Sequence, residues 1–69
     1  MGLSARNQLT GTVKSVKLGT VMAEVVLDVG GQEIVSAITR HSAERLGLSE
    51  GQQITAIIKA TEVLIATED

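Results

Sequence analysis

The chain has 69 residues, which is the size of one small domain, and we expect a single domain over residues 1–69. It contains one histidine and no Cys, Phe, Tyr or Trp, which excludes a disulfide framework, a structural zinc site and Cys/His nucleophilic catalysis. Six basic residues against eight acidic ones give a formal net charge of −2, so the chain lacks the positive field with which proteins hold nucleic acids.

The N-terminal residues 1–6 lack the apolar run of a signal peptide, and no segment approaches the ~18 consecutive apolar residues of a membrane span. We therefore expect a cytoplasmic protein with no membrane partner. A domain of ~60 residues buries only about 60% of its unfolded surface, and this one has no aromatic side chains to enlarge its core. Since disulfides and metals are excluded, we expect a homo-oligomer.

Alternating apolar residues predict strands over the first half of the chain. The first strand should run from Asn7 to about Lys17, with a turn at Gly19-Thr20. The next strand places five apolar residues on one face: Val21, Ala23, Val25, Leu27 and Val29. Gly30-Gly31 predicts a two-residue hairpin of type I′ or II′, and the returning strand should run from Gln32 to about Ile38.

The period of the pattern changes after Ile38. Thr39 precedes a run of helix-forming residues and Gly47 follows it, which predicts one short capped helix. A polar turn should end at Gly51. A fourth strand containing Ile54, Ala56 and Ile58 follows, then a bend at Thr61-Glu62 and a last strand through Val63, Leu64 and Ile65.

Five strands with one short helix between strands 3 and 4 predict an all-β fold, a five-stranded OB-like Greek-key barrel. Many barrels of this kind bind single-stranded nucleic acid through aromatic stacking and a basic groove. This sequence has neither feature, so we expect no nucleic-acid partner.

Three clusters have residue types that suit a small anion. The segment Ser4-Ala5-Arg6-Asn7 supplies a hydroxyl, a guanidinium and several backbone N–H groups. Thr39 and Ser42 lie at the N-terminus of the predicted helix, where free N–H groups attract negative charge. Lys59 lies at the end of the fourth strand, where its long side chain could reach an adjoining site.

Each cluster also has an ordinary structural interpretation. The first segment could be a solvated lead-in to the first strand, Thr39 could cap its own helix while Ser42 faces water, and Lys59 could point to solvent from the outward face of its strand. Lys59 alternates with Ala56, Ile58 and Ala60, which share the opposite face of the strand, and this indicates that Lys59 points outward.

Four segments of the sequence together resemble the molbindin family. They are Ser4-Ala5-Arg6-Asn7-Gln8-Leu9-x-Gly11-x-Val13, Gly19-x-Val21-x-Ala23-Glu24-Val25, Ile38-Thr39-x-x-Ser42-Ala43-x-x-Leu46-Gly47-Leu48 and Ile58-Lys59-Ala60-Thr61-Glu62-Val63. The resemblance extends from about Leu3 to Ala66. It implies a cytoplasmic protein that binds molybdate or tungstate and assembles as a hexamer, a trimer of dimers, with the ligands between subunits.

The resemblance also implies which residues bind the anion. Ser4, Arg6 and Lys59 would come from one subunit, assisted by N–H groups near Ala5, Asn7 and Ala60. Thr39 and Ser42 would come from its neighbour. Some relatives have serine at the position of Ala60, which leaves this chain a backbone N–H there. A second kind of site is implied near the symmetry axes, with Gly19-Thr20-Val21 as its candidate segment.

The residues suit the implied ligand, because a tetrahedral dianion with four acceptor oxygens requires many directional donors. They include no paired general acid and base, so we expect no enzymatic activity. We expect storage, buffering or delivery of molybdate, with no metal-binding or catalytic side chains. Two other functions remain open: an oligomerisation domain that binds no anion, and a nucleic-acid-binding OB module.

Overall fold

A computed structural model describes residues 2–68 of the chain. Its elements, in chain order, are β1 (Asn7–Leu18), β2 (Met22–Val29), β3 (Gln32–Thr39), α1 (Arg40–Leu46), β4 (Gln53–Ile58) and a 3₁₀ turn (Ala60–Glu62). The predicted all-β fold with one short helix between the third and fourth strands is confirmed. Neither α1, with seven residues, nor the 3₁₀ turn is long enough to cross a membrane. Residues 2–68 contain no helix longer than α1.

The strands form one antiparallel sheet in the order β3-β2-β1-β4. The long strand β1 pairs with β4 through residues 7–12 and with β2 through residues 12–18. It changes partners beside Gly11, where a Cβ atom would lie 2.4 Å from the backbone oxygen of Asp28. Only glycine fits this approach without a shift of the backbone, so Gly11 lets the sheet curl where β1 passes from one neighbour to the other.

The turns follow the residue types that the sequence places there. Gly30 and Gly31 both have positive φ, 59° and 87°, which is the type I′ hairpin expected of this pair. Gly31 donates its backbone N–H to Asp28 Oδ1 at 2.9 Å. Helix α1 is capped as predicted. The Thr39 side chain accepts a hydrogen bond from the Ser42 N–H at the helix N-terminus, and Gly47 ends the helix in the left-handed conformation at φ 64°.

The core lies on the concave side of the sheet and is made of small aliphatic residues. Its buried members are Val13, Val25, Leu27 and Ala56, and six partly buried aliphatic side chains pack around them. Within residues 2–68 no side chain larger than leucine is buried, as expected of a chain without aromatics. The helix contributes one buried side chain, that of Ala43.

One predicted strand position is wrong. Val21 was expected in β2, on the same face as Ala23 and Val25, but it precedes the strand and is 69% exposed. The backbone N–H of Gly19 donates to the Met22 carbonyl at 2.7 Å, and the N–H of Arg40 donates to the Val21 carbonyl at 2.7 Å. These two bonds hold residues 19–21 in a tight turn, so the alternation of β2 begins one residue later.

The described residues do not form the predicted fifth strand. After the 3₁₀ turn the backbone is extended at Val63, and Leu64 and Ile65 are 91% and 85% exposed. Strand formation requires a free edge to pair with as well as apolar alternation. Both edges of β1 are already occupied, and residues 63–65 pair with neither β3 nor β4, the two outer strands.

An open apolar groove of about 520 Å³ lies between these two outer strands. Its lining includes Leu27, Ile34, Ile38, Leu48 and Ile54. The curled sheet therefore remains unclosed along one side, and aliphatic side chains of β3 and β4 line the opening.

Candidate anion-binding site

A second groove lies where the start of β1 meets the end of β4. The last cross-strand pair at this end of the sheet joins Asn7 to Ile58, and Arg6 and Lys59 are the next residues outward. The groove has a volume of about 570 Å³ and eight lining residues: Leu3, Ser4, Ala5, Arg6, Ile57, Lys59, Ala60 and Thr61. We call it the Arg6–Lys59 groove. It gathers five of the eight predicted binding residues.

The Arg6–Lys59 groove is electropositive. It contains a guanidinium and an ammonium, and its eight lining residues include no Asp or Glu. Within residues 2–68, neither Arg6 nor Lys59 forms an ion pair. Lys14 differs, because its ammonium hydrogen-bonds to the Glu33 carboxylate, and this bond together with the charge of Glu33 raises the pKa of Lys14. The two groove cations are thus free to meet an anion.

The groove opens on the outer face of the sheet. Gln8 pairs with Ile57 across β1 and β4, so their side chains share a face, and Ile57 lines the groove. Continuing the alternation puts Arg6 and Lys59 on this same face, opposite to buried Ala56. The outward orientation of Lys59, which the sequence pattern associates with solvent, is therefore also the orientation that places its side chain at the groove.

Backbone donors border the groove at the 3₁₀ turn. The N–H of Glu62 donates to the Lys59 carbonyl at 2.9 Å, which closes the turn directly after Lys59. Because the first backbone hydrogen bond of the turn comes from Glu62, the N–H groups of Ala60 and Thr61 have no partner within the turn. Both residues line the groove, which makes these N–H groups candidate donors to an anion there.

Thr39 and Ser42 form a hydroxyl pair at the start of α1. Thr39 Oγ1 accepts from the backbone N–H of Ser42 at 3.1 Å and donates to Ser42 Oγ at 2.8 Å. The predicted N-cap is confirmed. Since one of the two hydroxyl protons is used inside the pair, one remains for an outside acceptor.

This hydroxyl pair does not line the Arg6–Lys59 groove. Thr39 pairs with Met22 at the start of β2, and the start of β2 runs beside Leu18 at the far end of β1. The twelve residues of β1 separate this end from the groove by about 36 Å along the strand. One chain therefore holds two donor clusters at opposite ends of its longest strand.

The remaining candidates lie outside the groove lining. Asn7 is partly buried and paired in the sheet. The segment Gly19–Val21, the candidate for a second kind of site, forms the turn before β2, where Arg40 Nη1 donates to the Gly19 carbonyl at 3.3 Å. Residues 2–68 contain no cluster of three or more His, Cys, Asp or Glu side chains that could hold a metal ion.

Sequence reasoning did not name three of the lining residues: Leu3, Ile57 and Thr61. The strand alternation contained the signal for Ile57, because it shares the parity of Lys59. Thr61 directly follows the Lys59-Ala60 pair and was interpreted as part of a bend. Leu3 had no such signal, because it precedes the first strand.

Comparisons with known proteins find similar proteins over nearly the whole chain. The TOBE domain family matches residues 3–65. Molybdenum-pterin-binding protein 1 of Clostridium pasteurianum is 52% identical over 66 residues, which cover 94% of this chain and 97% of that protein. Both matches extend over nearly the whole chain, from β1 past β4.

Solved structures give the same result. A molybdate-binding protein from Sporomusa ovata superimposes with a TM-score of 0.92 at 46% identity, covering 97% of this chain and all of that one. The cytoplasmic molybdate-binding protein ModG, solved with molybdate bound, matches with a TM-score of 0.82 at 51% identity over 87% of this chain and 43% of its own. The OB-like fold and the resemblance to molbindins are confirmed, and the chain belongs to the TOBE domain family.

Proposed function

We propose that this protein binds molybdate or tungstate and so stores, buffers or delivers the anion in the cytoplasm. The observation that carries the proposal is the Arg6–Lys59 groove, whose lining includes Arg6, Lys59 and Ser4 and no acidic residue, and within residues 2–68 neither cation forms an ion pair. Relatives of this chain are named for molybdenum or molybdate binding, and one of them is described as cytoplasmic.

The chemistry of the groove suits a tetrahedral oxyanion. Molybdate carries two negative charges on four acceptor oxygens, so it requires directional donors on several sides. Arg6 supplies a planar fork of N–H groups, whereas Lys59 supplies a compact charge. The anion contributes all of the acceptor oxygens, so binding requires neither a metal-ligating side chain nor a general acid and base. The proposed role is binding without turnover.

The complete site, in this proposal, is shared between two chains. One chain contributes Ser4, Arg6 and Lys59 with the backbone near Ala5, Asn7 and Ala60. Its neighbour contributes the Thr39–Ser42 hydroxyl pair. The separation of these clusters along β1 supports the sharing, because a single chain does not bring them into one groove.

Association of identical chains has further support. The segment around Leu64 and Ile65 exposes large aliphatic side chains, and an apolar groove stays open between β3 and β4. Exposed apolar surface of this kind marks association sites. We expect a hexamer arranged as a trimer of dimers, and sedimentation of the ligand-free protein at micromolar concentration tests this. A folded monomer would contradict the shared site.

Equilibrium dialysis against molybdate, with the bound anion counted per chain, tests the proposed function directly. Saturable binding at a fixed stoichiometry supports it. A stable oligomer that binds no molybdate or tungstate would instead be a structural association domain. Filter binding with single-stranded RNA and DNA examines the third possibility, and we expect no retention because the chain carries net negative charge and no aromatic platform.

A further inference from the structure

The segment ahead of β1 contributes Ser4, Ala5 and Arg6 to the groove, but residues 2–6 have no regular secondary structure. A donor on an irregular segment loses conformational freedom when it binds a ligand, and this loss weakens binding unless the segment is already ordered. The contacts that order these residues therefore affect affinity without touching the anion.

A side-chain hydrogen bond crosses from β1 into this segment. Gln8 Nε2 donates to the Ala5 carbonyl oxygen at 2.9 Å. Gln8 lies inside the paired part of β1, opposite Ile57, so its backbone is fixed by the sheet. The bond ties an irregular residue of the groove to a regular residue of the strand.

The geometry of the peptide group extends the effect to Arg6. A trans peptide is planar, and its C=O and N–H bonds point in opposite directions. Because Gln8 engages the Ala5 carbonyl, it also sets the direction of the Arg6 N–H, which points away from Gln8. A carbonyl oxygen turned toward an oxyanion would repel it, and the bond to Gln8 gives this oxygen another partner.

We propose that Gln8 is a positioning residue of the anion site: its amide holds the Ala5–Arg6 peptide in one orientation and keeps the Ala5 carbonyl occupied. This inference rests on the proposed function, since the anion is taken to bind in the Arg6–Lys59 groove. Gln8 acts through the backbone of Ala5 and Arg6, and its own side chain is not assigned a contact with the anion.

The test replaces Gln8 with methionine, which is close to glutamine in length but has no N–H donor and adds no charge. Gln53→Met is the matched control, because Gln53 is an exposed strand glutamine outside the groove lining. Molybdate binding is measured by calorimetry on the assembled protein. We expect Gln8→Met to weaken binding about three- to tenfold, the range of one lost neutral hydrogen bond, and Gln53→Met to bind like the unmodified chain.

A second measurement distinguishes positioning from a general loss of structure. Backbone ¹⁵N relaxation of the anion-free protein should show lower order at the Arg6 amide in Gln8→Met, with the amides of β1 beyond Gln8 and the thermal midpoint unchanged. Unchanged order at Arg6, or affinity equal to that of the Gln53→Met control, overturns the proposal. If the unmodified chain binds no molybdate, the proposed function fails, and the relaxation data still decide whether Gln8 orders this peptide.

Discussion

Arg6 and Lys59 lie one residue beyond the last cross-strand pair of β1 and β4, which joins Asn7 to Ile58. Antiparallel pairing thus brings together two cations that are 53 positions apart in the sequence, and both line one groove on the outer face of the sheet. In the proposed site, the anion affinity therefore depends on both side chains at once.

Replacing either cation should weaken molybdate binding strongly. A charge-assisted hydrogen bond contributes about 1.5–3 kcal/mol, so we expect Arg6→Ala to lower affinity by roughly 10- to 150-fold, with Lys59→Met also weakened. Equilibrium dialysis gives the affinities. Arg45→Ala and Lys17→Met are the matched controls, because both side chains are exposed outside the groove lining. Equal losses in variants and controls would mean that binding follows overall charge rather than this groove.

Ser42→Ala should weaken binding less than Arg6→Ala, since a neutral hydroxyl contributes about 0.5–1.5 kcal/mol. If the two residues serve one ligand from different chains, mixed oligomers of these variants should regain intact sites wherever a normal Arg6 meets a normal Ser42. Dialysis of the mixture after verified subunit exchange measures this gain. Binding no better than the average of the parent variants would show that the residues do not lie across one interface.

The anion selectivity should reflect fit to fixed donors. Tungstate resembles molybdate in charge, shape and size, so we expect it to displace molybdate readily. Sulfate is smaller and should compete poorly, and the protonated form of phosphate brings a donor against the donors of the site. Competition dialysis at constant ionic strength compares the four anions. Displacement by sulfate as efficient as that by tungstate would indicate a general anion binder.

Gly11→Ala should destabilise the fold, because the new Cβ would lie 2.4 Å from the Asp28 backbone oxygen. Overpacking of this kind costs about 1–3 kcal/mol. Urea unfolding at matched chain concentration measures the change in free energy of unfolding. Gly2→Ala is the control, since no atom lies within 4 Å of a Cβ built there. A Gly11→Ala protein as stable as this control would mean that the two backbones separate easily.

Leu64→Asp should weaken association without unfolding the chain. The side chain is 91% exposed, so it contributes little to the core, and a charge there would oppose burial against a second copy. Sedimentation over a range of concentrations reports the assembly state, and circular dichroism reports the fold. Leu64→Met keeps the surface apolar and should associate normally. An assembly unchanged by the aspartate would place Leu64 outside the interface.

The sequence allowed the local structure to be predicted wherever a residue type decides the geometry. Paired glycines, the Thr39 cap and the alternation of β2 all depend on neighbours within a few positions. Val21 fits the same alternation, but it lies in a turn closed by the bond from the Gly19 N–H to the Met22 carbonyl, and its own carbonyl accepts from the Arg40 N–H. Periodicity alone contains no information about such competing bonds.

The fifth strand and the groove depend on contacts between distant parts of the chain. Apolar alternation at residues 63–65 predicts a strand, but pairing requires an edge that these residues do not reach within their own chain. Each cluster of the site was identifiable by residue type. Which clusters meet in one groove follows from the register of β1 with β4, and this register appears only in the folded structure.

The placement of the two donor clusters at opposite ends of β1 has a consequence for counting ligands. Each chain has the Arg6–Lys59 groove at one end of β1 and the Thr39–Ser42 hydroxyl pair at the other. Every complete site of the proposed kind therefore joins the groove of one chain to the hydroxyl pair of another. A closed assembly, whether a two-fold pair or a ring, then has as many sites as chains, whereas an open filament has one site fewer. The number of anions bound at these sites per chain thus reports whether the assembly is closed, because it is one in a closed assembly and less than one in an open filament.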